Sequence, residues 1–316
     1  MKKIISTLLI ILIFSCAGEN NSEVKKETKF VGFYDLKGAV EFVNGIAVDT
    51  ILSPDRRQTK FFSEDGSQHM WINNQKAPEG SPWISGQGVY GEGIMGENTL
   101  TEIVKENFGG RAPIFSIPMD TLKKFWHDVD TINRTLTWKT PIVYKDENSF
   151  SQLSPGNQDG SRLSEYYEKV EEGEKTDLDG VWLRKGTINY VNNVAIDTVF
   201  IKPTDLLQIK FYHRGRLMFF TRDYSIEDTS LASWYGLGMY GTFSYENGRL
   251  TEQMDYGLYG NEQWFKNLPD KDENGESLIS FNVNLDENSY SQTWPQDEVY
   301  SDLGFGATAE YYERLR

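Results

Sequence analysis

The run Leu250-Thr-Glu-Gln-Met-Asp-Tyr256 has a period of two, which places Leu250, Glu252, Met254 and Tyr256 on one face of a β-strand. If that face looks into a closed sheet, Glu252 is a carboxylate held away from water, where an ionised group needs a partner. The last strand offers one, because Glu310, Tyr312 and Arg314 share a face by the same parity. The pairing expected from the sequence is therefore Glu252 with Arg314 and, in an earlier copy of the pattern, Glu102 with Lys169. Such a pair does one of two things: it neutralises itself as a buried ion pair, or it anchors the polar end of a ligand. Phe211, Phe219, Tyr240, Tyr256, Phe281 and Tyr312 are candidate lining for the same interior. The chain is 14% aromatic, and ligand cavities are largely apolar with few polar groups.

Little else has the makings of a reaction centre. The three histidines, His69, His127 and His213, lack metal-ligand spacing and read as surface or rim residues. There is no Gly-x-Ser-x-Gly elbow, and Gly86-Gln-Gly88 and Gly236-Leu-Gly238 follow no strand-to-helix pattern. Neither a serine nucleophile nor a phosphate cradle is read from them. The acidic run Asp270-Lys-Asp-Glu-Asn-Gly-Glu276 lacks the ligand order of a calcium loop and reads as an exposed turn. No catalytic residue, metal ligand or cofactor is assigned. The protein is not read as an enzyme, with glycan hydrolysis through paired carboxylates as the residual catalytic alternative.

The chain opens Met1-Lys2-Lys3, followed by an apolar run from Ile4 to Phe14 and then Ser15-Cys16-Ala17-Gly18. That is the layout of a secretory signal peptide over residues 1–15. Its apolar run is about half the length needed to cross a bilayer. Ile13-Phe14-Ser15-Cys16 resembles the lipobox of bacterial lipoproteins, apart from the bulky Phe14. The resemblance implies cleavage before Cys16 and lipidation of its sulfur, and the sequence has no second cysteine for a disulfide. Residues 16–29, polar and charged, read as a lipidated tether. A formal net charge of −15 disfavours nucleic acid and anionic lipid alike, which leaves the acyl chains on Cys16 to hold the membrane. The expected location is the outer membrane, at its periplasmic face or at the cell surface.

Short strands position these residues. Met239–Tyr245 and Leu250–Tyr256 flank Glu246-Asn247-Gly248, and Asn-Gly between alternating runs is a strong hairpin signal. The pattern is written twice. Gly38-Ala-Val-Glu-Phe-Val-Asn-Gly-Ile-Ala-Val-Asp-Thr50 matches Gly186-Thr-Ile-Asn-Tyr-Val-Asn-Asn-Val-Ala-Ile-Asp-Thr198 without a gap. Lys60-Phe-Phe62 answers Lys210-Phe-Tyr212, and Asp146–Gln152 answers Asp286–Gln292. Glu165–Glu168 answers Glu310–Glu313. The chain thus divides into a first domain over 30–170, a solvated linker over 171–176 and a second domain over 177–316. Each domain carries eight to ten closely spaced strands, which suits an antiparallel meander closing into an up-and-down barrel. One stretch has another period: Leu122, Phe125, Trp126, Val129 and Ile132 follow Asp120 at helical spacing. A shorter helical counterpart is expected near Trp264-Phe265.

Gly180-Val-Trp182 at the start of the second domain resembles the lipocalin Gly-x-Trp. Tyr235–Tyr240, Leu250-Thr-Glu252 and the closing Tyr312-Glu-Arg314 are similar to bacterial lipocalin-like domains of Bacteroidota lipoproteins. The first copy departs from that family, with Tyr34 in place of the tryptophan and Lys169 in place of Arg314. The resemblance implies an all-β fold of two tandem antiparallel up-and-down lipocalin-like barrels, with a short helix inserted in each. Two functions follow from it. One is a lipid-anchored envelope protein holding a small apolar or amphipathic ligand in its barrels. The other is a structural or interaction lipoprotein with side-chain-filled barrels that meets another envelope protein.

Overall fold

The computed structural model describes residues 30–52, 56–74, 88–108, 128–130, 135–154, 160–191, 194–202, 204–224, 236–258, 268, 270–294 and 308–315. Every regular element within them is a strand. The first half holds β1 (Gly32–Val43), β2 (Ile46–Leu52), β3 (Gln58–Phe62), β4 (His69–Asn73) and β5 (Gly88–Met95). It continues with β6 (Thr99–Phe108), β7 (Asp128–Asp130), β8 (Thr135–Asp146), β9 (Ser149–Leu153) and β10 (Ser161–Lys169). The second half holds β11 (Gly180–Val191), β12 (Val194–Phe200), β13 (Leu206–His213), β14 (Arg216–Asp223) and β15 (Leu237–Glu246). It ends with β16 (Arg249–Gly257), β17 (Leu278–Leu285), β18 (Ser289–Thr293) and β19 (Thr308–Arg314).

Each half closes into an eight-stranded antiparallel barrel, β1-β3-β4-β5-β6-β8-β9-β10 and β11-β13-β14-β15-β16-β17-β18-β19. The long first strand makes closure possible. One edge of β1 pairs with β10 along its length. On the other edge Gly32–Asp35 pairs with β3, and Gly38–Val43 pairs with β2. The same division recurs between β11 and its neighbours β12, β13 and β19. β2 and β12 therefore stand outside their rings, as arms that extend the first strand. The Asn247-Gly248 turn has φ of 51° and 78°, the left-handed pair that a type I′ hairpin requires.

Strands β3 and β4 are buried at every residue, because both of their faces are covered. One face looks into the lumen, and the other packs against the second barrel. Phe33, Phe61, Met70 and Ile72 of the first barrel form one cluster with Val181, Ile209, Phe211, Met218, Phe220, Tyr240, Tyr256 and Leu258 of the second. Phe61 and Phe211, at matching places in the two halves, meet with ring centroids 5.0 Å apart. Tyr256 donates its hydroxyl hydrogen across this seam to Thr59 Oγ1 at 2.7 Å, and Arg57 Nη1 donates to the Asp255 carbonyl at 3.2 Å.

Two expectations need correction. Among the described residues there is no helix, and Asp128–Asp130, at the end of the helix expected from Asp120, is the strand β7. The rest of that segment, the counterpart at Trp264-Phe265, and residues 1–29 with Cys16 lie outside the described residues. His69 is not a surface histidine: it is almost wholly buried inside the first barrel.

Candidate functional site

The first lumen is built in layers. In the first barrel one end is filled by rings, with Tyr34, Phe62, Phe150 and Tyr167 all buried and Phe150 stacked on Tyr167 at 5.1 Å. We call this the lower end. Moving up β6, Leu100 belongs to that filling, Glu102 comes next, and Val104 belongs to a separate upper cluster. The upper cluster joins Val104 to Trp71, Val89 and Leu136, with Val129 and Trp138 packed against it.

Between the two apolar layers lies the carboxylate that the sequence singled out, with different partners. Glu102 Oε1 accepts from Lys60 Nζ at 2.8 Å and lies 2.9 Å from His69 Nε2. Gln152 Nε2 donates to Glu102 Oε2 at 3.2 Å, and Gln152 Oε1 accepts from Lys60 at 2.8 Å. Burial alone would push the Glu102 carboxyl up. The Lys60 ammonium and then His69 outweigh that and hold it at about 2. A carboxyl so low stays ionised at neutral pH, which suits a counter-ion and not a general acid. A second ion pair stands beside this one: Arg56 Nη2 reaches Glu165 Oε1 at 2.6 Å and Gln58 Oε1 at 2.9 Å. Tyr167 donates to Glu165 Oε2 at 2.7 Å. Burial, and then the Glu165 charge, push the Tyr167 phenol well above its usual range, so it remains a donor.

The second barrel repeats the charged network inside a single apolar cluster. Lys210 Nζ donates to Glu252 Oε1 at 2.7 Å and to Gln292 Oε1 at 3.2 Å, and Tyr212 donates its hydroxyl hydrogen to the same carboxylate. Arg184 Nη1 serves both Glu310 Oε1 and Gln208 Oε1, each at 2.9 Å. Tyr312 donates to Glu310 Oε2 at 2.7 Å. In each network two lysine or arginine cations face two carboxylates, which compensates the buried charge.

The predicted site residues divide accordingly. Glu102 and Glu252 lie inside, as their strand parity implied, and Phe219, Phe281 and Tyr312 belong to the second lumen. The pairings are corrected. Arg314 sits at the lower end of the second barrel, its guanidinium 4.1 Å from the Trp182 ring centroid, and donates to the carbonyls of Asp177, Asp179 and Glu287. Lys169 pairs with Glu172 at 2.9 Å. Phe211, Tyr240 and Tyr256 are not lumen lining; they belong to the seam. The true counter-ions, Lys60 and Lys210, were missed because Ile209 and Phe211 looked like the inward face of β13. The available signal was a lysine followed by two aromatics in both copies, Lys60-Phe-Phe62 and Lys210-Phe-Tyr212, since a charge kept beside buried positions needs an internal partner.

No protein-family model matches the chain, and no curated protein does. Among solved structures it is similar to a lipocalin-like protein from Bacteroides uniformis, at 12% identity with a TM-score of 0.27, over 44% of this chain and 100% of that one. It is also similar to an uncharacterized protein from Bacteroides eggerthii, at 11% identity with a TM-score of 0.26, over 43% of this chain and 98% of that one.

Proposed function

We propose that this chain is a non-enzymatic, lipid-anchored envelope protein that binds a small amphipathic molecule in the upper lumen of its first barrel. The observation that carries the reading is the upper cluster of Trp71, Val89, Val104 and Leu136, an apolar wall separated from the ring-filled lower end by a self-neutralised ion pair. A binding site of this kind needs apolar walls and a few fixed polar groups. Anchoring rests on Cys16 and its lipobox-like context. The test is fluorescence of the uncharged probe N-phenyl-1-naphthylamine. Its emission is expected to rise with the full chain and to rise far less with Leu136→Asp. Absence of any rise with wild type would overturn the reading. Fatty-acid labelling of wild type but not of Cys16→Ala is the matching test of the anchor.

A second reading has its own observation. The arm β12 is exposed along most of its length, with Val194, Ile196 and Phe200 at 63%, 62% and 72% exposure, and pairs with β11 alone among the described strands. In the matching arm Ile46 and Val48 are exposed in the same way. Apolar edge strands are docking places for another extended chain. This favours contact with another envelope protein, and Val194→Lys with Ile196→Lys is the variant expected to abolish crosslinking to it in intact envelopes.

A further inference from the structure

We propose that the upper lumen of the first barrel selects a carboxylate-headed amphiphile and that Arg56, with Trp71, receives its head; this rests on the binding reading above. Arg56 is 8% exposed, and only its Nη2 is engaged, by Glu165 and Gln58. Its Nε and Nη1 are buried and have no acceptor among the described residues. Trp71 is also 8% exposed, and its indole nitrogen is buried without an acceptor as well. Trp71 lies on the strand that neighbours β3, the strand Arg56 leads into. Arg56 precedes β3 by two residues, and Trp71 on β4 lies opposite Lys60 of β3. A buried N–H without an acceptor costs free energy comparable to a lost hydrogen bond.

All three of these groups are donors, so the head that satisfies them must be an acceptor. An ammonium head brings donors to donors and gains nothing. A carboxylate brings two oxygens with about four lone-pair sites, and hydrogen bonds between ions are roughly twice as strong as neutral ones. The apolar body then lies against Val89, Val104 and Leu136. The second barrel does not repeat this. There Arg184 spends Nη1 on Gln208 and Glu310 and Nη2 on Thr187, which leaves Nε alone. At the place of Trp71 its register puts Phe219, which has no donor.

The experiment displaces N-phenyl-1-naphthylamine from the full chain with dodecanoate, dodecanol and dodecylamine, at a pH where the acid is ionised. Dodecanoate is expected to compete about tenfold better than dodecylamine, the size of one charge-assisted hydrogen bond. Dodecanol is expected between them. Trp71→Phe keeps the apolar ring and removes one donor, and is expected to narrow the preference several-fold while probe binding persists. Arg56→Lys keeps the charge paired to Glu165 and removes Nε and Nη1, and is expected to narrow it further. If the probe binds and all three compete equally, the head-group assignment is wrong and the binding reading stands. If the probe does not bind, the binding reading itself fails. Equal preference in wild type and both variants would also overturn the assignment.

Discussion

In the first barrel the buried carboxylate takes its extra donor from His69 on β4; in the second it takes it from Tyr212 on β13. Strand register aligns Phe62 with Tyr212, His69 with Leu217 and Gly93 with Phe243. The three changes fit one another. A Cβ on Gly93 would stand 2.7 Å from His69 Cγ, so the imidazole needs a glycine beside it. In the second barrel a leucine replaces the imidazole, and Phe243 packs its ring on Tyr212 at 4.8 Å. The second cation has moved as well. It is Arg56 with Leu36 on the first strand in one barrel, and Arg184 on the first strand with Leu206 at the place of Arg56 in the other. What has been kept between the halves is two lysine or arginine cations against two carboxylates, with a histidine or tyrosine on the central one, and not the position of every member. That is what charge compensation demands in a dry interior, where a carboxylate left without its cation is the costly case.

The most severe way to break the comparison is to remove one charge. Lys60→Met strands Glu102, and Lys210→Met strands Glu252; each is expected to cost about 3–5 kcal/mol. The double variants Lys60→Met with Glu102→Met, and Lys210→Met with Glu252→Met, are expected to cost much less. Denaturant melts arranged as a double-mutant cycle measure the non-additivity, and coupling near zero in either barrel would mean that its pair is incidental. Arg56→Leu is expected to cost a similar amount by stranding Glu165. Adding Leu36→Arg, which installs the arrangement of the second barrel, is expected to recover much of the loss. No recovery would show that the arginine positions are not interchangeable.

The donor exchange is the next largest effect. His69→Leu leaves Glu102 with one partner fewer, at an expected cost of about 1–3 kcal/mol. Adding Phe62→Tyr and Gly93→Phe copies the second barrel and is expected to restore part of it. The sign with pH is fixed by the direction of the shift. Glu102 is held at about 2, below the ordinary carboxyl value of 4.5, so its stabilisation is complete above 4.5 and is lost as pH falls through about 2. Without His69 the carboxyl is held less firmly, and acid unfolding is expected to begin at higher pH. Urea midpoints between neutral pH and pH 2 would show this, and an unchanged acid limb would remove His69 from the network.

The duplication, the strand count and the hairpins were legible because each is local: periodicity, Asn-Gly turns and repeated blocks need no knowledge of what packs on what. The inward parity of Glu102 and Glu252 was legible for the same reason. Their partners were not. Closure brings β3 to β6 and β9 across the lumen, and no spacing in the chain announces that Lys60 meets Glu102 and Gln152. The seam was the larger blind spot. In β13 the alternation Gln208, Ile209, Lys210, Phe211, Tyr212 looks like an ordinary half-buried strand, apolar side inward. With the first barrel packed against β13 from outside, that side turns outward and the lysine turns in.

The seam also supplies the smallest test of the comparison. Its centre is symmetric, Phe61 on Phe211, as when like patches of two subunits meet. Its edges are not. Tyr256 donates to Thr59, whereas the matching places in the other halves are Glu106 and Ile209, which cannot make that bond. The symmetric centre is therefore expected to carry the seam and the edge bond to add little. Thr59 donates its own hydroxyl hydrogen to Asp35 at 2.6 Å and keeps that bond when the tyrosine oxygen is removed. Tyr256→Phe removes one hydrogen bond and keeps the ring that packs on Tyr240 at 5.6 Å. The expected loss is about 1 kcal/mol. Phe61→Ala or Phe211→Ala, by contrast, empties a ring-sized volume and is expected to cost about 3–5 kcal/mol, nearly equally from either side. Unequal losses for the two phenylalanines, or a Tyr256→Phe loss as large as theirs, would show that the seam is held at its asymmetric edge and that the matching of the two halves across it is only apparent.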